Sequence, residues 1–389
     1  MKLTTRCVQL GRGDDAHGAI VPPIYQTATF EQPTATEFGE YDYTRSGNPT
    51  RTLLEAQLAD LEEAEHACAF ASGMAALTAL TRIVKTGEEI IAGDDLYGGT
   101  VRLLDRIASH QNISVRYVDT TNVDELKKAV TGRTRLILIE TPSNPLFRIT
   151  DIRALASTAK AAGAYLAVDN SMLSPVFQQP LNLGADIVVH SATKFLCGHS
   201  DVTAGALITN SPALHQQFAF QQNAEGAGLS PFESWLLLRG LKTLALRVER
   251  QNASAEKIAR FLQTRAEVRQ VFYPGMAQHP GHEIHRQQAS GSGAVISFAT
   301  GDEKLSAEIV ETTRLFKVAV SFGSVGSTIS LPCRMSHASI PSALRDRLAP
   351  PPDLVRLSVG IEDLDDLISD LERAFATNSR ARQLEEMCR

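Results

Sequence analysis

The sequence predicts an α/β protein with a mainly parallel sheet in a large domain and a smaller C-terminal α/β domain. Short apolar segments alternate with helical segments over residues 89–169, which is typical of β-α-β units with helices on both faces of a sheet. The chain has 389 residues, more than one hydrophobic core usually supports. We expect an N-terminal arm over 1–50, a large domain over 51–245 and a smaller domain over 246–389.

The elements of the arm and the large domain follow from local patterns. Residues 1–50 are rich in turn formers and poor in periodic apolar residues, which predicts an extended arm. Leu54, Leu58 and Leu61 then fall on one face of a predicted helix. Further along, the sequence predicts strands over 89–92, 115–119, 135–140, 164–169, 185–190 and 205–209, and helices over 100–109, 123–130 and 151–162.

The smaller domain is predicted to follow a long helical region. That region covers about 231–264, is rich in Leu and Arg, and links the two domains. Beyond it, the sequence predicts strands over 268–273, 294–299, 319–322 and 354–359, and helices over 303–313 and 362–377. Apolar residues recur on one face of the last helix, so its acidic residues form a solvated face.

Composition excludes several classes of protein. Hydrophobic residues make up 43% of the chain, charged residues 21%, and the net charge is -6, as in an ordinary soluble globular protein. No basic cluster suggests nucleic-acid binding, and no apolar run is long enough to span a membrane. Residues 1–18 lack the apolar core of a secretory signal, so we expect a cytoplasmic protein. The five cysteines are widely spaced and odd in number, which predicts reduced thiols.

Lys194 is the candidate catalytic amine. It follows the apolar run 185–190 and therefore lies just beyond a strand end, where ligands of open α/β sheets bind. Desolvation there disfavours the charged form, and a neutral amine can attack a carbonyl to form a Schiff base. Ser191 and Thr193 would offer hydroxyls to a phosphate. The alternative is an ordinary lysine whose stem packs at the strand end.

Three further positions are candidates for binding a flat, phosphorylated ring. Gly73 follows Ser72 at the start of a predicted helix, whose free N–H groups could bind an anion, unless Ser72 is simply a cap. Asp169 ends a buried strand, where a protonated pyridine nitrogen would be a suitable partner, although a turn aspartate is the alternative. Tyr97 precedes two glycines and could stack on a ring or merely pack.

Arg356 is the candidate ligand for a substrate carboxylate. It lies among apolar neighbours in the predicted strand over 354–359. The planar guanidinium pairs well with a carboxylate in two hydrogen bonds. The alternative is an ion pair within the protein.

No metal site is predicted. His279, His282 and His285 have the spacing of metal ligands, but Pro280 and Gly281 interrupt any helix that would align them. We therefore assign these histidines no metal.

Several ordered motifs carry a resemblance to a known family over nearly the whole chain. They are Tyr43-Thr44-Arg45-Ser46-Gly47-Asn48-Pro49-Thr50, Ser72-Gly73-Met74, Tyr97-Gly98-Gly99, Glu140-Thr141-Pro142-Ser143-Asn144-Pro145, Val168-Asp169-Asn170, Ser191-Ala192-Thr193-Lys194, Gly198-His199-Ser200-Asp201 and Arg356-Leu357-Ser358. These segments resemble the pyridoxal-phosphate enzymes of cysteine and methionine metabolism, the cystathionine lyase and synthase family. The resemblance implies the fold type I architecture of pyridoxal-phosphate-dependent transferases, similar to aspartate aminotransferase.

The resemblance also implies roles for individual residues. Lys194 would carry the imine link to pyridoxal 5'-phosphate, Asp169 would pair with the pyridine nitrogen, and Tyr97 would stack on the ring. Asn144 would lie near the phenolic oxygen, and Ser321 would help Arg356 to hold the substrate carboxylate. The phosphate would be bound by Gly73, Met74, Ser191 and Thr193, and by Tyr43 and Arg45 of a neighbouring subunit. The family resemblance therefore implies at least a dimer, and usually a homotetramer built from two dimers.

Within the family, the chain resembles the plant-type members that cleave cystathionine by β-elimination, in the segments 25–30, 41–51, 169–171, 221–226 and 319–325. Val320 stands where members acting at the γ-carbon often have glutamate, which weakens a γ-lyase interpretation. We expect homocysteine, pyruvate and ammonia as products, on the route to methionine. The alternatives are a cystathionine γ-lyase or γ-synthase, a lyase for cystine or cysteine conjugates, and a pyridoxal-phosphate-binding regulator without turnover.

Overall fold

A computed structural model gives the structure of most of the chain. The described residues are 1–9, 17–108, 110–336 and 348–387. Ser109, the last residue of a predicted helix, and Cys388, one of the five cysteines, lie outside these ranges. Within the ranges, no helix combines the length and hydropathy that a membrane crossing requires. Four cysteines are free thiols: Cys7, Cys68, Cys197 and Cys333.

A seven-stranded sheet forms the centre of the large domain. Its strands are β1 His66–Phe70, β2 Glu89–Gly93, β3 Ser114–Val118, β4 Thr134–Glu140, β5 Tyr165–Asp169, β6 Ile187–His190 and β7 Gly205–Thr209. They lie in the order β1-β7-β6-β5-β4-β2-β3. Strand β7 runs antiparallel to β1 and β6, whereas the other neighbours pair in parallel. The predicted mainly parallel sheet is confirmed.

Apolar side chains cover both faces of this sheet. Ile90 and Leu136 belong to one core cluster, while Ile91 and Ile137, the next residues along the same strands, belong to another. Successive strand residues point to opposite faces, so a strand buried on both sides is apolar throughout. Burying one such side chain stabilises the fold by roughly 1.5–3 kcal/mol.

The helices of this region begin and end where local sequence favours it. They are α1 Leu3–Val8, α2 Pro49–Leu61, α3 Gly73–Thr81, α4 Gly98–Leu103, α5 Val123–Ala129, α6 Ile152–Ala162, α7 Ser174–Phe177, α8 Pro212–Ala224 and α9 Pro231–Leu241. Asn48 caps α2 by accepting a hydrogen bond from the Thr50 N–H, with Pro49 in the first turn. The sequence did not predict α1 or α8. The predicted helix over 100–109 instead passes into a π-helical turn at Leu104–Ala108.

A five-stranded sheet forms the smaller domain. Its strands are β8 Gln270–Phe272, β9 Val295–Ala299, β10 Lys317–Val318, β11 Thr328–Ser330 and β12 Leu354–Ser358, in the order β10-β11-β12-β9-β8. The predicted strand over 319–322 is wrong. Ser321 has a φ of 82° and Gly323 one of 88°, and neither value is compatible with a continuous strand. The chain turns there toward the large domain.

One long helix joins the two cores. The remaining helices are α10 Leu244–Gln263, α11 His282–Gln288, α12 Glu303–Thr312 and α13 Leu364–Met387. The predicted helical region over 231–264 is thus two helices, α9 and α10. Ala245 and Val248 of α10 pack in a core of the large sheet, whereas Ile258 and Leu262 pack in that of the small sheet. The domain boundary predicted between 245 and 246 stays a prediction.

Candidate active site

The carboxyl ends of β4, β5 and β6 meet at one edge of the large sheet. Glu140 ends β4 and is the register partner of Asp169, which ends β5. Ser191 follows β6, and Lys194 lies in the turn after it. Parallel strands place these ends together, which is why ligand sites form at this edge. A cavity of about 450 Å³ opens above it.

Most of the predicted site residues line this cavity. Those that do are Gly73, Met74, Tyr97, Asn144, Asp169, Ser191, Thr193, Lys194, Ser321 and Arg356. Other lining residues include Ser72, Glu140, Ser171, Val320 and Phe322. Tyr43 and Arg45 do not line it. The structure therefore brings together residues that are far apart in the sequence.

Lys194 carries a partly buried amine that contacts the loop of Ser321. Its Nζ donates a hydrogen bond of 2.6 Å to Ser321 Oγ and lies 5.0 Å from the centroid of the Phe322 ring. Burial lowers the pKa of Lys194 from 10.5 to about 8, helped by the charge of Arg356 and opposed by Asp169 and Glu140. A larger fraction of this amine is consequently neutral near pH 7 than in an exposed lysine.

Ser321 reaches Lys194 through an unusual backbone conformation. Its φ of 82° lies in the left-handed region, which costs a non-glycine residue roughly 1–3 kcal/mol. The carbonyl oxygen of Ser321 also accepts a hydrogen bond of 3.1 Å from Arg356 Nη2. One strained residue therefore contacts both the amine and the guanidinium.

Asp169 is a partly buried carboxylate at the floor of the cavity. Its Oδ1 accepts a hydrogen bond of 3.0 Å from the Ser171 N–H, so the predicted turn contact is present as well. Burial raises the pKa of Asp169, and hydrogen bonds from Ser171 oppose the rise. A cationic group in the cavity would stabilise the ionised carboxylate further.

Glu140 is a site residue whose role sequence reasoning missed. Its Oε2 accepts a hydrogen bond of 3.1 Å from the backbone N–H of Tyr97. Burial, together with the neighbouring charge of Asp169, raises the pKa of Glu140 well above its usual value. The sequence feature that could have indicated this role is the position of Glu140 at the end of β4, beside Asp169 in β5. The carboxyl group of Glu140 therefore anchors the start of the Tyr97 loop.

Arg356 is one of the largest fully buried side chains of the protein. Its Nη1 donates a hydrogen bond of 2.8 Å to Asn144 Oδ1. Across the described residues, no carboxylate oxygen lies within 4.0 Å of the Arg356 guanidinium nitrogens, so Arg356 forms no ion pair there. Burial lowers its pKa to about 10, so the guanidinium is charged at neutral pH. The alternative of an internal ion pair is thus wrong within the described part of the chain.

The phenylalanine after Ser321 is a second residue that sequence reasoning missed. The Phe322 ring centroid lies 5.5 Å from Arg356 Cζ as well as 5.0 Å from Lys194 Nζ. An aromatic face attracts a cation, so Phe322 stabilises both charged groups beside the cavity. No sequence signal identified it, because its segment reads as an apolar strand.

Gly73 and its neighbours form a small cradle at the start of α3. Ser72 caps the helix by accepting a hydrogen bond of 3.0 Å from the Ala75 N–H. A Cβ on Gly73 would lie 3.0 Å from Cβ and Oγ of Ser191, so only glycine fits without displacement. The first N–H groups of a helix have no intrahelical acceptor. Those of Gly73 and Met74 therefore suit an anion.

Comparison with known proteins identifies the family. Residues 4–376 match the family described as Cys/Met metabolism PLP-dependent enzyme. The chain belongs to this family. The resemblance stated from the motifs is confirmed, as are pyridoxal phosphate as cofactor and the fold type I architecture.

Individual members of the family are similar along nearly the whole of this chain. The chloroplastic cystathionine beta-lyase of Arabidopsis thaliana is 53% identical over 375 residues, covering 96% of this chain and 81% of that protein. The cystathionine gamma-lyase of Bacillus subtilis is 46% identical, covering 96% and 99%. Among solved structures, metB from Corynebacterium glutamicum has a TM-score of 0.95 at 43% identity, covering 97% and 98%.

The residues around the cavity fit pyridoxal phosphate. The partly buried Asp169 carboxylate is stabilised by a cationic partner, which a protonated pyridine nitrogen supplies. The Gly73 cradle suits the phosphate, and Lys194 supplies an amine of lowered pKa for the aldehyde. The Thr193 hydroxyl is less available to a phosphate than expected. Its Oγ1 donates a hydrogen bond of 3.2 Å to the Ala204 carbonyl oxygen and accepts one of 2.9 Å from the Ala204 N–H.

Tyr43 and Arg45 line a second cavity of about 380 Å³ at the protein surface. Arg45 Nη1 donates hydrogen bonds of 3.0 Å to both the backbone oxygen and Oδ1 of Asn223. Its Cζ lies 5.5 Å from the Tyr43 ring centroid, and Tyr43 is 42% exposed. Their absence from the first cavity is compatible with a role in another subunit, which stays a prediction.

The three histidines with ligand-like spacing have protein partners. His279 Nε2 lies 2.7 Å from the Phe147 carbonyl oxygen, and His282 Nδ1 lies 2.7 Å from that of Pro274. His285 Nε2 contacts the Gly291 carbonyl oxygen at 3.1 Å. Within the described ranges, no group of three metal-ligating side chains is assembled.

Proposed function

We propose that this protein is a cystathionine β-lyase, which converts L-cystathionine and water to homocysteine, pyruvate and ammonia. The main support is the 53% identity to the cystathionine beta-lyase of Arabidopsis thaliana over 96% of the chain. Proteins with the same printed name from Mimosa pudica and Neurospora crassa, at 52% and 51% identity, add support. Release of homocysteine would place the enzyme on the route to methionine.

Lys194 is proposed to link the cofactor and then to move the substrate proton. Pyridoxal phosphate, when bound, supplies an aldehyde for amines and a protonated ring that accepts electrons from the substrate α-carbon. The lowered pKa of Lys194, about 8, supports a role for its neutral amine as the base that removes the α-proton. Asp169 would keep the proton on the ring nitrogen.

Arg356 is proposed to bind the α-carboxylate of the substrate. Its charge has no carboxylate partner within ion-pair distance in the described part of the chain, and Asn144 Oδ1 holds one edge of the guanidinium. A substrate carboxylate held there would orient the α-carbon toward Lys194. Ser321 supports this arrangement because it contacts both side chains.

The remaining cofactor contacts are proposed from the family resemblance and the cavity lining. Gly73, Met74, Ser191 and Thr193 would hold the phosphate, and Tyr97 would stack on the ring. Tyr43 and Arg45 would complete the phosphate site of a neighbouring subunit, with the 1–50 arm crossing between subunits. A homotetramer built from two such dimers is the proposed assembly. The cytoplasmic location stays a prediction.

The second candidate function is γ-elimination on the same substrate. It is favoured by the 46% identity to the cystathionine gamma-lyase of Bacillus subtilis, which covers 99% of that protein. γ-Elimination needs a second proton to be removed, from the β-carbon. Val320 at the cavity wall offers no carboxylate for such a transfer, so we rank this candidate second.

Product analysis tests the proposal. Purified holoenzyme is given L-cystathionine, and keto acids and thiols are separated by chromatography. Pyruvate with homocysteine is expected, whereas 2-oxobutyrate with cysteine would identify the γ-lyase. If neither pair forms, cystine and cysteine conjugates are assayed under the same conditions. Turnover of these compounds alone would show that one of them, and not cystathionine, is the substrate. Absence of any product would favour a regulator that only binds the cofactor.

The Lys194→Ala variant tests the assignment of the amine. It is expected to lose the yellow colour of the bound cofactor together with turnover. Lys160→Ala removes an exposed lysine at the end of α6 and is the matched control. Retention of both colour and activity by Lys194→Ala would show that another amine is used.

A further inference from the structure

A buried polar network lies directly beneath the floor of the active site. His190 Nε2 and Glu62 Oε1 are 2.6 Å apart, and each residue is only 1% exposed. Asn170 Nδ2 donates to the same Glu62 oxygen at 3.0 Å and to the Gln178 carbonyl oxygen at 2.8 Å. Glu62 directly follows α2 and so belongs to no strand of the sheet, yet its side chain reaches the layer below the cavity.

The network connects the ends of the three strands that carry the site. Gln178 Nε2 donates to Asn170 Oδ1 at 3.1 Å and to the Thr141 carbonyl oxygen at 2.8 Å. Thr141, Asn170 and His190 are the chain neighbours of Glu140, Asp169 and Ser191, respectively. A shift in any of these contacts would therefore move a residue of the cavity floor.

Stability alone does not account for this arrangement. Within the described ranges, Glu62 Oε2, Gln178 Oε1 and His190 Nδ1 are buried without a hydrogen-bond partner. Each such atom costs roughly 1–3 kcal/mol. Apolar side chains of similar volume often replace a buried ionic pair with no loss of stability. Retaining a histidine and a carboxylate below a cofactor site points instead to a requirement of that site.

We propose that Glu62 and His190 are positioning residues for Asp169, holding its carboxylate in place and favouring its ionised form. The inference rests on the proposed role of Asp169 toward the ring nitrogen of the cofactor. Glu62 acts through Asn170, the next residue after Asp169, and through His190 on the adjacent strand. Neither residue lines the cavity, so neither touches cofactor or substrate.

The electrostatics of Asp169 agree with this role. Burial raises its pKa, which disfavours the ionised form that a ring nitrogen needs as a partner. After the two hydrogen bonds from Ser171, the charge of His190 opposes this rise, ahead of that of Lys194. Glu62 Oε1 lies 2.6 Å from His190 Nε2 and so holds this ring in place.

A double-mutant cycle with Asp169→Asn tests the proposal. Glu62→Gln keeps the shape of the side chain, and we expect the apoprotein to bind pyridoxal phosphate roughly tenfold more weakly, as loss of one charged hydrogen bond implies. We also expect kcat to fall with KM unchanged. In the Asp169→Asn background, Glu62→Gln should have no further effect on cofactor affinity, because the carboxylate it serves is absent. Equal effects in the two backgrounds would overturn the proposal.

Cofactor affinity is measured by titrating apoprotein with pyridoxal phosphate, a readout that does not depend on the substrate. His285→Asn replaces another buried histidine that contacts a backbone carbonyl, and it should leave the affinity unchanged. If Asp169→Asn alone has no effect on affinity or on the absorption spectrum, the assigned role of Asp169 fails as well. If Asp169→Asn has its effect and Glu62→Gln has none, only the present inference fails.

A milder variant covers the case in which Glu62→Gln does not fold. Gln178→Ala removes the side-chain link between Asn170 and Thr141 while leaving the Glu62–His190 contact. It should weaken cofactor binding in the wild-type background and have no effect in the Asp169→Asn background. Unchanged affinity in a folded Gln178→Ala variant would contradict the proposal.

Discussion

Nζ of Lys194 lies 2.6 Å from Oγ of Ser321, although the two residues are 127 positions apart in the chain. The lysine follows a strand of the large sheet, and the serine lies in a loop beside the small sheet. The environment of the amine therefore depends on how the two sheets pack. Any change that moves the 319–323 loop should alter the reactivity of Lys194.

The first prediction concerns the pH dependence of cofactor capture. The neutral amine attacks an aldehyde, and burial lowers the pKa of Lys194 to about 8. The association rate of pyridoxal phosphate with apoprotein should therefore rise with pH up to about 8 and then level off. Stopped-flow absorbance measures this rate, and an Nα-acetylated lysine amide serves as the reference. A rate that keeps rising as the reference does, toward the unperturbed pKa of 10.5, would contradict the assignment.

The second prediction concerns the charges around that amine. Arg356 lowers the pKa of Lys194, whereas Asp169 raises it. Arg356→Met should therefore move the pH midpoint of cofactor capture upward, and Asp169→Asn should move it downward. The same stopped-flow measurement checks both signs. Shifts in one common direction would show that the substitutions act by rearranging the cavity and not through charge.

The third prediction separates substrate binding from cofactor binding. Arg356→Ala removes the proposed ligand of the α-carboxylate, and the loss of charged hydrogen bonds should weaken substrate binding roughly 10- to 100-fold. The visible absorbance of the bound cofactor should persist. Titration of the coloured protein with substrate measures the affinity. Arg260→Ala, which removes a 71% exposed side chain, is the control and should change neither quantity.

The fourth prediction uses the packing of Tyr97 against Gly99. A Cβ on Gly99 would overlap the Tyr97 ring and lie 3.1 Å from Met74 Sδ. Gly99→Ala should displace the ring and weaken cofactor binding roughly three- to tenfold, the worth of one aromatic stacking contact. Gly132→Ala places its Cβ in open space and should bind as the wild type does. Equal cofactor affinities of the two variants would show that Tyr97 does not stack on the cofactor.

The fifth prediction concerns a buried arginine behind the lysine turn. Arg247 Nη1 donates to the Phe195 carbonyl oxygen at 2.8 Å, and its Nη2 donates to that of Gly240 at 2.9 Å. Arg247→Met would leave both oxygens without their donor and should lower the free energy of unfolding by roughly 2–5 kcal/mol. Thermal unfolding monitored by circular dichroism measures the loss. Arg250→Met, at an exposed position of the same helix, should unfold as the wild type does.

Local patterns predicted most of the large sheet and much of the site. β7 was predicted at its observed bounds, and the other strand predictions from 89 onward in that domain differ from the structure by two residues or fewer. Lys194 and Asp169 were found because polar side chains directly after buried strands stand out. The prediction that Tyr43 and Arg45 act in a neighbouring subunit rests on the family resemblance alone.

Other features depended on contacts between distant residues. The segment 319–322 has the apolar composition of a strand, yet its contacts with Lys194 and Arg356 turn it into a loop with a positive φ at Ser321. The contact of Glu140 with the Tyr97 loop joins residues 43 positions apart. No periodicity over a few residues encodes such distances.

The sequence by itself determined the chemistry available to this protein: a family, a cofactor, an amine, a carboxylate and a guanidinium at the ends of predictable strands. The tertiary structure alone decided the electrostatic state of those groups. Strand propensity and capping act over neighbouring residues, whereas a pKa depends on burial and on every charge nearby in space. That is why Lys194 could be named from its motif, while its lowered pKa required Ser321, Arg356 and the packing of two sheets.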